Sequence, residues 1–457
     1  MSIIDKHLLS CSDVLELAGE SETGAFLNTN PAPTAGAERQ GYPELDSAGP
    51  PTATPHDEVA DQPLSSLAGA MLVGAAALLV LGIQPVLLGA LVDEGRMPIA
   101  ALGRVATAEV IALAAGSALG PHIMMGPRIR LKTTLACMAL AVVCLGVYVV
   151  HGLMALYVLR AVAGLLEGLA VGATIAIVAH TRHPDRVNGL FLAVQTIPQM
   201  LAAYLLPVTI TPRWGSNAGF ALLGGFALIS VMGAIWLVSP AQHAERHKRG
   251  GRWCSPSVLV ALTAIAIEYA GVGGAWNYIQ ELGNQHHFTA NAIGVALSAS
   301  LGFQVVGAFF VSWIGWRVSY RLALLVGVTL QTAVVVALTQ TDHPIPYAME
   351  ACLFGVFWLA LQSFQILQLI ALDPSRRAVL LVTPLVLIGL SLGPLLCSFV
   401  VRQGDVTGAF WVAGGLLGLS SILFQAASWR RGQKRRLTPI FEGKVSDQHA
   451  LAEPDGG

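Results

Sequence analysis

Charge is scarce in this chain. Asp, Glu, Lys and Arg make up 12% of its 457 residues, against about 25% in a soluble globular protein. So few charges argue against a soluble enzyme or a nucleic-acid-binding module. Cysteine is sparse too: Cys11, Cys137, Cys144, Cys254, Cys352 and Cys397 are the six, and no CxxC pair occurs. That spacing speaks against a disulfide framework or a thiolate metal site; small hydrophobes in an apolar interior fit better. A phosphate loop of the GxxxxGK[ST] type is missing, so ATP-driven chemistry has no support here. The adjacent His286 and His287 lack ligand spacing, and neither a metal nor another cofactor is expected. The N-terminus has no basic start followed by an apolar stretch and does not read as a secretory signal.

What the chain has instead is apolar length. Hydrophobic residues make up 54% of it and the mean hydropathy is +0.64. Twelve apolar runs fall near 67–91, 102–124, 133–151, 155–179, 190–210, 217–238, 256–280, 290–313, 322–338, 345–370, 378–401 and 407–428. Each is long enough to cross a hydrocarbon core of about 30 Å at about 1.5 Å per residue. Most lack the polar stripe of a soluble amphipathic helix. The sequence therefore predicts an all-α membrane protein of twelve transmembrane helices.

The basic residues are segregated. Threading the twelve runs back and forth puts 21 of the 26 Lys and Arg on one side. Arg96, Arg104, Arg213 and Arg402 fall on the other, and Arg160 lies within a helix. The positive-inside rule then places both termini in the cytoplasm, in a cell inner membrane. Residues 1–64 are acidic, rich in Pro, Gly, Ala, Ser and Thr, and read as a disordered tail. Residues 241–255 form a basic linker, and 431–457 a second disordered tail.

The chain also repeats. HPDR (183–186) precedes the fifth run and DPSR (373–376) the eleventh. The same offset maps Phe220 onto Phe410, Tyr157 onto Tyr347 and Arg160 onto Glu350. GPR at 126–128 echoes GWR at 315–317. Together these suggest two parallel six-helix halves, 65–240 and 256–430.

In this organisation the chain resembles the major facilitator superfamily of secondary transporters over about 65–430. LYVLRAVAGLLEGLAVGA (156–173) is similar to that family's fourth helix, and PRWGSNAGF (212–220) to its turn into the sixth. The basic loops GPRIRLK (126–132) and GWRVSYR (315–321) sit where the family carries its Gly-Asp-Arg-Gly-Arg loop. There are departures. Met124 and Met125 stand where the Asp-Arg pair would fall, and the GPxxGG and PESPR-type signatures are absent. No subfamily follows, and so no particular substrate. The resemblance implies that helices one, four, seven and ten line a central cavity.

Ionisable side chains inside a bilayer are costly and tend to face a cavity, a partner or a pathway. Glu109, Arg160, Glu167, Glu268 and Glu350 lie within helices. Glu268, Glu167 and Glu109 are the candidates for proton coupling, since a carboxylate withdrawn from water can cycle between charged and neutral forms. Arg160 and Glu350, at equivalent places in the repeats, are a candidate gate pair; local pairing of Arg160 with Glu167 is the competing reading. Gly164, Gly168 and Gly172 read as a close-packing stripe. Phe354, Trp358 and Gln362 continue a four-residue stripe from Glu350. Tyr269, Trp276 and Asn277 share a broader stripe on helix seven. With Gln84, Gln195, Gln199 and Gln304 they are the substrate-cavity candidates, an aromatic wall with isolated amides suited to a small organic solute.

The expected function is proton-coupled secondary transport of such a solute by alternating access. The partners expected are that solute and the lipid bilayer, with no nucleic acid, and the protein is expected as a monomer. No Ser/His, paired His or Asp-pair constellation supports an enzyme. A non-transporting sensor or assembly factor on a transporter scaffold is the alternative, because fold does not fix function.

Overall fold

The computed structural model describes residues 62–150, 152–239, 255–314, 317–373 and 377–437. Among them are twelve helices long and apolar enough to cross a membrane. They are α1 (Leu64–Asp93), α2 (Ile99–Met124), α3 (Ile129–Gly146), α4 (Leu153–Ala179), α5 (Pro184–Leu205), α6 (Ser216–Ile235), α7 (Pro256–Gln285), α8 (Ala290–Ile314), α9 (Tyr320–Ala337), α10 (Pro344–Leu372), α11 (Val382–Ser398) and α12 (Thr407–Leu437). The described residues contain no strand beyond one bridge between Arg402 and Asp405.

Start signals follow the local chemistry. Pro184, Pro256 and Pro344 open α5, α7 and α10, where a missing N–H costs nothing. Ser255 and Ser319 cap α7 and α9, each accepting from a backbone N–H three residues on. Several boundaries shift by a few residues from the sequence expectation, α5 for instance starting at Pro184 rather than 190, and two helices are lengthened at their ends. α7 runs on to Gln285, and α12 to Leu437, because polar residues beyond the apolar run extend the last turns. Most of the two tails and of the basic linker lies outside the described residues, as do Gly315 and the 374–376 stretch of the repeat.

The helices pack in a repeating pattern. α2 packs most extensively on α4, and α8 on α10; α6 joins α1 and α3, and α12 joins α7 and α9. Two six-helix bundles result, and they meet chiefly through α2 with α11 and α5 with α8. Small residues set the closest approaches. The stripe Gly164, Gly168 and Gly172 lies against Glu109, Leu113, Gly116 and Gly120 of α2; a Cβ on Gly172 would sit 2.8 Å from Gly120 Cα. The same contact recurs in the second bundle, where Gly355 of α10 abuts the Ser300 carbonyl of α8. Phe220 and Phe410, the repeated pair, are both fully buried. On the outside Val142, Leu201, Ile229, Phe309 and Ile422 are exposed, the surface a lipid-facing bundle presents.

The GPRIRLK loop has a structural use. Lys132 Nζ donates to the carbonyls of Ile123 (2.7 Å) and Met125 (3.3 Å) at the end of α2. Arg130 Nε donates to the Leu237 carbonyl (2.9 Å) past α6. Cations at helix C-termini satisfy carbonyls left without a partner.

Candidate functional site

The first group of polar side chains lies within the first bundle. Arg160 of α4 is fully buried and ion-paired with Glu109 of α2. Glu167, two turns on, stands 3.9 Å from the same guanidinium. Gln84 of α1 donates to the other Glu109 oxygen at 3.1 Å. The Phe220 ring centroid lies 5.2 Å from the guanidinium carbon, a cation–π contact. Two carboxylates thus share one guanidinium, and the cluster either carries a net negative charge or holds a proton. Arg160 Nε and Nη1 face no hydrogen-bond acceptor.

Arg160 and Glu350 are not brought together. Glu350, half-buried near the start of α10, accepts from Thr341 at 2.7 Å. The α2–α4 glycine seam decides this: it presses Glu109 against the Arg160 helix, so the nearest carboxylate comes from the same bundle. The competing Glu167 contact is present but longer.

The second group is in the other bundle. Glu268 of α7 is fully buried and accepts from Gln365 Nε2 of α10. Gln365 Oε1 and the neighbouring Tyr269 hydroxyl have no partner. Among the described residues no cation is ion-paired with Glu268, in contrast to the Glu109–Arg160–Glu167 cluster. Burying an unpaired carboxylate charge costs several kcal/mol, roughly. Its charge state is therefore tied to whether water reaches it.

The third group joins the bundles. Trp276 of α7 stacks on Phe354 of α10 at 6.5 Å and meets Trp358 edge-on at 5.6 Å. Trp276 Nε1 crosses the interface to the Leu81 carbonyl of α1 (3.0 Å). A small central cavity is lined by Leu81, Gln84, Val110, Trp276, Asn277 and Trp358, and its volume is about 10 Å³, room for a single water. Asn277 Oδ1 has no hydrogen-bond partner. Gln84, Trp276, Asn277, Phe354 and Trp358 are therefore gathered in one place, as the stripes on helices seven and ten suggest. Gln199 is turned to the Leu78 carbonyl (2.7 Å). Gln195 Oε1 and Gln304 Nε2 are buried without partners on α5 and α8, the helix pair at the other seam between bundles. Gln362 is half-buried, one turn beyond Trp358.

Several hydrogen bonds zip the bundles together on the arginine-poor side. Tyr278 accepts from the Gly103 N–H (3.2 Å), Thr107 donates to the Ser391 carbonyl (2.6 Å), and Tyr204 donates to Asn291 (3.2 Å). Asn284 donates to Asp93 (3.4 Å). Gly103 makes the approach possible, since a Cβ there would meet the Pro394 carbonyl and stand 2.6 Å from the Tyr278 hydroxyl. The structure is thus closed on that side.

Sequence reasoning missed Gln365 and Glu281. A partner 97 residues away depends on the rotational phase of two helices, which the sequence does not reveal. Glu281 falls in the last turn that α7 gains, and it is buried there. Among the described residues no cluster of three or more His, Cys, Asp or Glu is placed to hold a metal.

Two six-helix bundles thus meet around a polar and aromatic centre. No family model and no curated protein matches the sequence. Solved structures do. The nucleoside transporter NupG matches with a TM-score of 0.66 at 11% identity, over 79% of this chain and 99% of that one. The xylose transporter XylE from E. coli, in a partially occluded inward-open conformation, matches with a TM-score of 0.60 at 13% identity, over 79% of this chain and 99% of that one. A D-xylose–proton symporter matches with a TM-score of 0.61 at 13% identity, over 79% of this chain and 96% of that one. The fold is that of these solved transporters.

Proposed function

We propose that the protein is a secondary active transporter of a small, uncharged organic solute, coupled to protons and working by alternating access. The central cavity carries this reading. It lies between the bundles, where each helix pair can part, and it offers an indole wall and unsatisfied amide oxygen rather than a free cation or anion. Its small volume means that solute enters only as Trp276, Trp358 and their neighbours separate. A ring-shaped solute with hydrogen-bonding groups fits this chemistry. The nucleoside and pentose handled by the structural neighbours are such solutes and are the first to test.

The experiment is flux into proteoliposomes of nucleosides and pentoses under an imposed pH gradient. Trp276→Ala and Trp358→Ala should each raise the half-saturation concentration about threefold to tenfold, the ~0.5–1.5 kcal/mol of one aromatic contact. A folded protein that moves none of these solutes, with or without a gradient, would refute the reading.

We assign the protein to the inner membrane with both termini cytoplasmic, on the strength of the charge split. A cysteine at Thr289 should react with an impermeant maleimide added outside intact cells. One at His183 should react only after the cells are opened. The reverse pattern would invert the topology.

A further inference from the structure

The larger cavity is not the central one. It lies at the arginine-poor ends of α1, α5, α7 and α8 and has a volume of about 220 Å³. Its polar wall includes Asp93, Gln280, Asn284 and Thr211, and its apolar wall includes Val86 and Ile293. Gln280 is 5% exposed, yet its Oε1 has no hydrogen-bond partner. Beside it Glu281, 6% exposed, also has a partnerless Oε1. Asn284 ties α7 to α1, donating to Asp93. Gly89 leaves the space that lets α7 bring these groups against α1: a Cβ there would stand 2.7 Å from Glu281 Oε1.

Two buried acceptor oxygens without donors, with the Asp93 carboxylate on the same wall, call for a ligand that only donates. A primary ammonium has three N–H donors and no acceptor. α1 and α7 both end here, and the negative ends of their dipoles favour a cation. The Arg213 side chain, one residue beyond the lining Pro212, is exposed to solvent. A metal ion needs neither the volume nor the apolar wall. Because Val86, Asp93 and Thr211 belong to one bundle and Gln280, Asn284 and Ile293 to the other, the cavity exists only while the bundles touch on this side. A ligand held by both walls therefore binds that state and favours it.

We propose that this cavity is a second ligand site, for the ammonium group of a small amphipathic organic amine, and that its occupancy holds the outer side closed. The second clause rests on the alternating-access reading; the first does not. The probe is phenethylammonium, titrated calorimetrically into the full-length protein in nanodiscs, with 2-phenylethanol as its neutral twin and empty nanodiscs as blank. The amine should bind saturably and the alcohol should not. Asp93→Asn, which removes charge and keeps shape, and Ala90→Leu, which fills the cavity and keeps charge, should each weaken binding by at least about tenfold. Thermal unfolding of each variant establishes that it is folded. In a background with the native cysteines replaced, a cysteine at Thr107 should react severalfold more slowly with external maleimide when the amine is present, and Asp93→Asn should abolish that protection.

The site is overturned by no binding, by equal binding of the alcohol, by binding indifferent to both variants, or by calcium chloride binding in place of the amine. Amine binding with unchanged labelling would overturn the closing role. Calorimetry needs no transport, so a failure of solute flux without amine bears on the transporter reading alone.

Discussion

Glu268→Gln is expected to reduce gradient-driven accumulation to the equilibrium level, a loss of more than about tenfold, while solute exchange without a gradient stays within about a factor of three. The argument starts from burial. Glu268 is 1% exposed, and its recorded partner is the neutral amide of Gln365. A carboxyl so placed gains or loses its proton as water gains or loses access to it, and a parting of α7 from α10 changes that access. The amide replacement is nearly the same size. It can donate to Gln365 Oε1, which now has no partner, so the α7–α10 contact survives and only proton exchange is lost. Gln365→Ala should produce a milder defect, because it removes the orienting group and leaves the carboxyl. Proteoliposomes loaded for counterflow and for pH-driven uptake separate the two activities. Uphill uptake at the unaltered rate in Glu268→Gln would exclude this residue as the coupling group.

The features legible in the sequence share a physical basis. Apolar length fixes helix number because a bilayer has one thickness, and the four-residue spacing of Phe354 and Trp358 fixes which of them face the same neighbour. That Trp276 would meet them needed only the placing of helices seven and ten around one centre. The glycine stripe on α4 announced a close partner without naming it. Pairings across helices were hidden for a different reason. Whether Arg160 meets Glu109, Glu167 or Glu350 depends on the rotation and depth of separate helices, and a shift of one residue turns a side chain by about 100°. Glu281 was hidden by a boundary: ending helix seven at 280 leaves this carboxyl in a loop, whereas the structure buries it in the last turn.

Arg160→Ala is expected to be the most destabilising single change in the first bundle, at about 3–5 kcal/mol, because it leaves buried carboxylates without their cation. The guanidinium is fully buried, paired to Glu109, 3.9 Å from Glu167 and covered by Phe220. Truncation removes all of these contacts at once and opens a void between α2 and α4. Reduced yield and a lowered unfolding temperature in detergent should report it. Partner choice is decided by exchange. Arg160→Glu alone adds a third carboxylate beside Glu109 and Glu167 and should be as damaging as Arg160→Ala. Adding Glu109→Arg restores one opposite-charge contact across the α2–α4 seam. In a Glu167→Gln background, which removes the like charge seven residues on, this double exchange should recover a substantial part of the lost unfolding temperature. Exchange with Glu350 should recover nothing, since that carboxylate is bonded to Thr341 near the start of α10. If instead the Glu350 exchange rescues turnover and the Glu109 exchange is no better than Arg160→Glu alone, then the pair across the two bundles governs function and the pairing within the first bundle is incidental.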